Sequence, residues 1–196
     1  MPFMLLDLPV SADPKIQDAL DSRAGNPWMS AYAIRSFDAR DATVCRDLYT
    51  QGLLGGQLAS NDSGLDIDDI PTAYGLSPLN HFWVAEVTEQ GAEQAGAAPG
   101  TVVGMIGVQH HDEGVGEIRR LRVHTQHRRR RVGSRLLDTA VRFCRDNDCL
   151  KVALDTFIER EAAIAMFEAN GFRHGRTRQV LGKDMLYFYV DLYSQK

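Results

Sequence analysis

Apolar residues recur along the chain with two periods, which predict strands and helices in a mixed order. Alternation predicts a strand in AYAIRSF, and three further segments are also predicted to be strands: NHFWVAEVTE, TVVGMIGVQHH and VGEIRRLRVHT. The last two are joined by a turn at 112–114, so they are expected to form an antiparallel hairpin. Asp38 and Asp41 supply helix caps before ATVCRDLYTQGLL, whose apolar spacing predicts a helix.

The second half of the chain carries the stronger helical pattern. A long amphipathic helix is indicated by apolar residues at steps of three and four: Val132, Leu136, Ala140 and Phe143. CLKVALDTF then predicts a strand, EREAAIAMFEANGF a second helix that ends at Gly171, and DMLYFYVDLY a last strand. The order predicts an α/β (α+β) domain, a mixed sheet with helices on both faces.

Three segments show neither period clearly. Residues 1–28 are interpreted as an N-terminal extension, and the domain itself as residues 29–196. The polar, turn-rich stretch 59–78 is predicted to be a loop or short broken helices, a common place for a substrate-gating element. The small-residue stretch 90–100 is predicted to be a hairpin loop.

Charge changes this picture locally rather than globally. The 196 residues carry a formal net charge of −4, which argues against a general nucleic-acid-binding protein. Basic residues are nevertheless concentrated at 119–122 and again at 128–131. A local positive patch on an acidic protein suits a small anionic ligand better than a polymer.

The cysteines and the hydropathy of the chain indicate its cellular compartment. Cys45, Cys144 and Cys149 form no CxxC pair, so we expect buried free thiols rather than a disulfide framework or a metal site. No apolar run approaches the roughly 20 residues that span a bilayer. The start MPFMLLDLPV is a poor signal peptide because it lacks a basic region. A cytoplasmic protein without a membrane segment is expected.

The segment LRVHTQHRRRRVGSRLL places a basic loop between a strand and an amphipathic helix. The first turn of a helix leaves main-chain N–H groups free and directs the positive end of its dipole outward. Glycine lets a phosphate approach those groups, and arginines add charge-assisted hydrogen bonds. A phosphate or pyrophosphate is therefore predicted to bind between Arg129 and Ser134.

This segment resembles motif A of the GNAT superfamily, Gln/Arg-x-x-Gly-x-Gly/Ala, with Arg128 first and Gly133 last. The resemblance covers about 160 residues from Ala31 onward. A second signature of the family, a helix that flanks the thioester, is matched in kind by Ala163, Met166, Phe167, Gly171 and Phe172. Within the superfamily, HRRRRVGSRLL, VRFCRDN and VALDTF are similar to the soluble half of cysteine-conjugate N-acetyltransferases.

The resemblance implies a mostly antiparallel central sheet of six to seven strands with about four helices. It implies acetyl-CoA as cofactor and direct transfer of the acetyl group to a primary amine, without a metal. The residues it assigns to the cofactor are Leu121, Arg122, Val123, Arg128, Arg129, Arg130, Arg131, Val132, Gly133, Ser134, Arg160 and Phe167. The first three are expected to bind the pantetheine arm and polarise the carbonyl through their main chains.

Three residues depart from the family pattern. Arg131 replaces the first motif glycine, which requires a backbone conformation that tolerates a side chain. Arg160 stands where the family often has Asn, and it either serves a phosphate or lies in solvent. Phe167 stands where the family often has a Tyr that protonates the leaving thiolate, so another group or water must supply that proton.

Glu117 is the candidate general base, because an amine protonated at neutral pH must lose a proton before it attacks. It lies eleven positions before Arg128, as a catalytic Glu does in some family members. The alternative is a surface carboxylate paired with a neighbouring arginine. His110 and His111 are weaker candidates for a base, and their alternative is a solvated strand end.

Four more polar residues could face the cleft. Tyr187 and Tyr189 reach either the acceptor pocket or the core, and Asp155 and Thr156 more simply cap the following helix. The acceptor is expected to be a small-molecule or peptide amine, and residues 1–28 offer a surface for a homodimer. The alternative to an enzyme is an acyl-CoA-binding or sensor domain with reduced catalysis.

Overall fold

The computed structural model describes residues 28–53, 62–111, 114–180 and 182–193. Their strands form one sheet of seven, in the order β1-β2-β3-β4-β5-β7-β6. The strands are β1 Tyr32–Ser36, β2 His81–Val87, β3 Val102–His111, β4 Val115–Val123, β5 Lys151–Phe157, β6 Arg173–Val180 and β7 Lys183–Asp191. Only β4 and β5 pair in parallel, which confirms the predicted mixed, mostly antiparallel sheet.

Three helices of the described chain have nine residues or more, and four are short. The long ones are α2 Ala42–Gln51, α6 Val132–Asp146 and α7 Glu161–Ala169. The short ones are α1 Trp28–Ala31, α3 Leu65–Asp68, α4 Ile70–Gly75 and α5 Ala92–Ala95. The described part of the stretch 59–78 thus holds short helices, as predicted, whereas the expected loop at 90–100 contains one helical turn.

The helices cover two faces of the sheet and define two cores. One face, the α6 face, packs against α6 and α7 through Leu136, Leu137 and Phe167. The other, the α2 face, packs against α2, α3 and α4 through Leu48, Ile67 and Tyr74. Strand β3 is buried on both faces from residue 102 to 108, because it lies near the middle of the sheet.

Strand β6 could not be located from its pattern. It pairs only with β7 at the edge of the sheet, and its side chains from Arg173 to Gln179 are all exposed. Without a buried face the segment RHGRTRQV shows no alternation of apolar and polar residues. The sequence accordingly predicted one or two strands in this region without giving bounds for the first.

Residues 1–27 of the predicted N-terminal extension lie outside the described residues, so the boundary after residue 28 stays a prediction. Trp28 begins α1 and stacks on Tyr32 at 6.3 Å. The three cysteines are buried and free, as expected. In the described part of the chain, no helix has the length and apolar character needed to cross a bilayer.

Candidate active site

The sheet opens between β4 and β5. The two strands pair only from Val115–Lys151 to Glu117–Ala153, although β4 continues to Val123 and β5 to Phe157. Beyond Glu117, β4 stays with β3 and β5 stays with β7. The result is a fork, closed at Glu117 and open toward Val123, with main-chain groups of β4 available along one edge.

A β-bulge in β4 accompanies the opening. Met105 pairs with Arg122 and Gly107 pairs with Arg119, so Ile106 on β3 faces two residues of β4. Arg120, one of those two, has a φ of 57°. A bulge bends its strand and increases the local twist, which directs β4 away from β5.

The Arg120 guanidinium holds the bulge to the described part of the 59–78 stretch. It is buried and donates to both oxygens of Asp62 at 2.6 and 2.7 Å, and to Asp66 at 2.7 and 2.5 Å. Although burial disfavours the charged carboxylates, Arg120 lowers the pKa of Asp62 and Asp66. The sequence did not identify this cluster, because neither a bulge nor a contact across 58 positions has a local pattern.

Glu117 lies at the closed end of the fork and faces the α2 face. Its neighbours Gly116 and Ile118 contact the α6 side of the sheet, so alternation places Glu117 on the other side. Nε2 of His111 lies 2.5 Å from its Oε2, and Nη1 of Arg119 lies 3.5 Å from its Oε1. The carboxylate therefore has both a histidine and an arginine partner, and it remains partly exposed at the cleft.

A second carboxylate faces the same side from β5. Asp155 lies two residues beyond Ala153, the partner of Glu117, on the same face of the strand. Burial and the charge of Glu117 raise the pKa of Asp155, while Arg178, which donates to it at 2.6 Å, opposes the shift. Asp155 is paired with Arg178 rather than serving as a helix cap.

Helix α6 begins without a side-chain cap. Arg131, the residue before it, has a φ of 61°, and Arg129 has a φ of 62°. Arg131 thus adopts the left-handed conformation that the family's glycine would favour, and the motif is kept at the cost of some strain. An uncapped N-terminus of a helix of 15 residues presents free main-chain donors, as an anion site requires.

Gly133 has a packing role as well. A Cβ at this position would lie 3.1 Å from Sδ of Met166 in α7 and 3.7 Å from Val123. The missing side chain lets α6 approach both α7 and the open end of β4. Gly133 therefore brings the predicted phosphate site to the mouth of the fork.

The arginines of the basic loop have different partners. Arg128 donates to the carbonyl of Val123 at 3.2 Å, and the side chains of Arg129 and Arg131 are exposed. Arg130 turns away toward the N-terminal part of the domain: it donates to Tyr32 Oη at 3.2 Å and to the carbonyl of Ala95 at 2.9 Å, and lies over Trp28. Its side chain anchors the loop.

Residues 121–123, which the resemblance assigns to the pantetheine arm, lie on the part of β4 that is not paired with β5. Leu121 and Val123 pack toward the α6 face, and Arg122 points to the α2 face, where it contacts Gly52. Arg160, just before α7, donates to the carbonyl of Gly52 at 2.6 Å. The two arginines thus meet at one residue, and Arg160 is a hydrogen-bonded, partly buried residue rather than a solvated one.

The remaining candidates divide between core and surface. Phe167 is buried, with its ring 6.0 Å from Phe172 and 6.2 Å from Phe188. Tyr187 and Tyr189 stack 6.1 Å apart on an open part of the sheet. His110 is tied through its main-chain N–H to Asn80, and no group of three or more metal-ligating side chains occurs among the described residues.

Comparison with known proteins gives a consistent result. Residues 60–172 match the model of the acetyltransferase (GNAT) family. The chain is 31% identical over 121 residues to the "Probable N-acetyltransferase camello" of Xenopus tropicalis, which covers 61% of this chain and 50% of that protein. The chain thus spans about half the length of the curated relatives it matches.

Solved structures show the same fold. An acetyltransferase of the GNAT family from Staphylococcus aureus superposes with a TM-score of 0.67 at 20% identity, covering 83% of this chain and 99% of that one. The yncA protein from Salmonella typhimurium, solved with its cofactor acetyl-CoA, gives 0.66 at 19% identity, covering 84% and 95%. At such identities the likeness establishes the fold.

Proposed function

Because the chain belongs to the acetyltransferase (GNAT) family, we propose that it transfers the acetyl group of acetyl-CoA to a primary amine. Transfer occurs by direct attack within a ternary complex, and the acceptor is a small-molecule or peptide amine. The amine nitrogen forms the new bond to the carbonyl carbon as the carbon–sulfur bond breaks. The amine proton leaves through Glu117, and the thiolate takes a proton from water.

The residues of the fork fit the cofactor. The uncapped N-terminus of α6 and the adjoining basic loop suit a pyrophosphate, and the open edge of β4 at residues 121–123 suits the amide groups of a pantetheine arm. When bound there, acetyl-CoA supplies an activated thioester carbonyl. The chain's own part is to hold that arm along β4, with Leu121–Val123 donating main-chain hydrogen bonds.

The proposal rests on the position of Glu117, which is the last residue of β4 that pairs with β5. A carboxylate at the closed end of the fork, facing the α2 face, lies where an acceptor amine would approach the thioester. His111 contacts one oxygen of this carboxylate and Arg119 approaches the other, so the two residues orient it. Asp155, across the fork, adds a second negative charge that favours an ammonium ion arriving at this point.

Release of CoA thiol from acetyl-CoA across a panel of amines tests the proposal. Turnover that depends on the amine, and that is lost in Glu117→Gln with cofactor binding retained, supports it. If acetyl-CoA stabilises the fold but no amine gives turnover, the chain is instead an acyl-CoA-binding or sensor domain. The panel should include polyamines, N-terminal peptides and cysteine conjugates.

We also propose a cytoplasmic location, which three buried free thiols support, and no role in nucleic-acid binding, which the net charge of −4 supports. A homodimer is a further part of the proposal. Light scattering on the full chain measures the oligomeric state directly. Fractionation of cells that express the chain tests the location and any association with membranes.

A further inference from the structure

Arg122 is charged, partly buried and poorly paired. Its Nε is fully buried and has no hydrogen-bond partner among the described residues. The guanidinium donates from Nη1 to the carbonyl of Leu121 at 2.9 Å. Leaving a buried donor of this kind unpaired costs about 1–3 kcal/mol. Such a group calls for an explanation, of which a bound ion or ligand is one.

A second guanidinium lies beside it. Arg160 donates to the carbonyl of Gly52, and the Cα of Gly52 packs so closely on Nε of Arg122 that a Cβ there would overlap it. Burial, then Arg160 and Arg120, lower the pKa of Arg122 to about 10, so it stays protonated at neutral pH. Burial and the nearby Arg128 also lower the pKa of Arg160.

The carboxylate that acts electrostatically on Arg122 is already paired with another arginine. Asp62 acts electrostatically on Arg122, but both of its oxygens accept from Arg120. Partial compensation comes from the carbonyl end of α2, whose last residue precedes Gly52 and whose dipole favours cations. Glu159 acts electrostatically on Arg160, but its carboxylate pairs with Lys183. In the described part of the chain neither Arg122 nor Arg160 forms an ion pair with a carboxylate, which leaves room for an external anion.

The position of this pair indicates which anion it would bind. Arg122 belongs to the 121–123 segment at the fork and points to the α2 face, the side of Glu117. The predicted phosphate site lies further along the chain, at the start of α6, after β4 has ended. An anion at Arg122 and Arg160 would therefore lie on the Glu117 side of the open arm of the fork.

We propose that Arg122 and Arg160 form a subsite for a carboxylate, carried either by the amine acceptor or by the acyl group of the acyl-CoA. The subsite rests on the proposed function, because it names the substrate chemistry of that same cleft. A guanidinium binds a carboxylate through charge-assisted hydrogen bonds, and two neighbouring guanidinium groups supply several such donors at one place. The bound carboxylate supplies the counter-charge that the described residues do not.

Calorimetry with matched ligand pairs tests the subsite and separates the two sources. For the acyl source, succinyl-CoA is compared with butyryl-CoA, which has the same chain length and no carboxylate. For the acceptor source, the ligands are added to the complex of the protein with CoA. Acetamido-carboxylates from N-acetylglycine to 6-acetamidohexanoate are compared there with their primary amides. In the unmodified protein we expect one of the two ligand classes to show the preference: its carboxylate should have a Kd at least tenfold lower than its uncharged counterpart.

Variants assign that preference to the arginines. Arg122→Gln and Arg160→Gln should each reduce the ratio of the two Kd values to about twofold, whereas Arg122→Lys should keep part of it. The control is Arg142→Gln, an exposed change on α6, which should leave the ratio intact. Thermal melting shows whether each variant is folded. A ratio within twofold for both ligand classes in the unmodified protein overturns the subsite.

Two further outcomes are decisive. If Arg122→Gln weakens CoA itself tenfold and leaves the carboxylate ratios unchanged, the arginine binds a cofactor phosphate and the subsite is wrong. If a carboxylate ratio is found but no amine is turned over, the subsite stands and the proposed acetyl transfer fails. If amines without a carboxylate are turned over but neither ligand class shows a carboxylate preference, the proposed acetyl transfer stands and the subsite is wrong.

Discussion

Nε2 of His111 lies 2.5 Å from Oε2 of Glu117, which joins the end of β3 to the beginning of β4 at the closed end of the fork. His111 pairs with Val115 in the sheet, so its ring reaches diagonally to Glu117. Arg119 approaches the other oxygen at 3.5 Å. The carboxylate is thus fixed in direction while it remains open to the cleft.

Glu117→Gln should lower kcat about 10²–10⁴-fold, because the amide cannot accept the amine proton. The Kd for acetyl-CoA should change little, since Glu117 lies away from the start of α6. Steady-state kinetics and calorimetry on the same preparations measure both quantities. His111→Asn serves as the matched control, with a smaller loss expected for a residue that orients the base. Unchanged kcat in Glu117→Gln would remove this residue from the mechanism.

The buried Arg120 cluster should control the stability of the α2 face. Arg120→Met leaves the partly buried Asp62 and Asp66 without a counter-charge, which should cost up to about 3–5 kcal/mol. The melting temperature should fall by on the order of 10 °C. Arg46→Met, which breaks the exposed pair with Asp68, should cost less than about 1 kcal/mol. Equal effects of the two changes would mean that the Arg120 cluster is not stabilising.

Acid should weaken the same cluster. The pKa values of Asp62 and Asp66 are lowered in the folded chain, so their stabilisation is present above the ordinary carboxyl range and is lost as the pH falls below it. Unfolding in urea between pH 6 and pH 3 measures this loss. The pH dependence should be smaller in Asp62→Asn than in the unmodified protein, and a larger dependence would contradict the assignment.

His127 should make stability depend on pH at a higher range. It is buried, its Nδ1 lies 3.0 Å from Tyr32 Oη, and burial together with Arg130 lowers its pKa. The unfolded chain then binds the proton more readily, so stability should fall as the pH drops through about 6.5. Melting temperatures at pH 8 and pH 5.5 should differ less in His127→Gln. An equal difference in both proteins would assign the effect to other groups.

Arg131 allows a direct test of backbone strain before α6. Its φ of 61° costs a residue with a side chain about 1 kcal/mol, so Arg131→Gly should raise stability by up to that amount. Arg131→Ala loses the same charge and keeps the strain, so it should bring no gain. Chemical unfolding distinguishes the two variants. A gain in the alanine variant alone would show that charge, and not conformation, is the cost.

Helix α6 could be predicted because it buries one face, on which Leu136 and Ala140 lie. The hairpin of β3 and β4 also forms as predicted. The motif likewise located the uncapped start of α6. The fork itself was not predictable, since it depends on where pairing between β4 and β5 stops. The side-chain partners of Arg130, Arg120 and Arg160 come from distant segments, and such contacts leave no local pattern.

Incubation of the protein with acetyl-CoA labelled in its acetyl group tests direct transfer at the fork. Mass spectrometry should detect the label on the amine acceptor only when protein and amine are both present, and no acetylated protein should accumulate when the amine is omitted. Glu117→Gln should bind acetyl-CoA and yield little labelled product. Labelled protein that passes its acetyl group to the amine, or a stable acetyl-CoA complex that labels no amine, would contradict direct transfer at the fork.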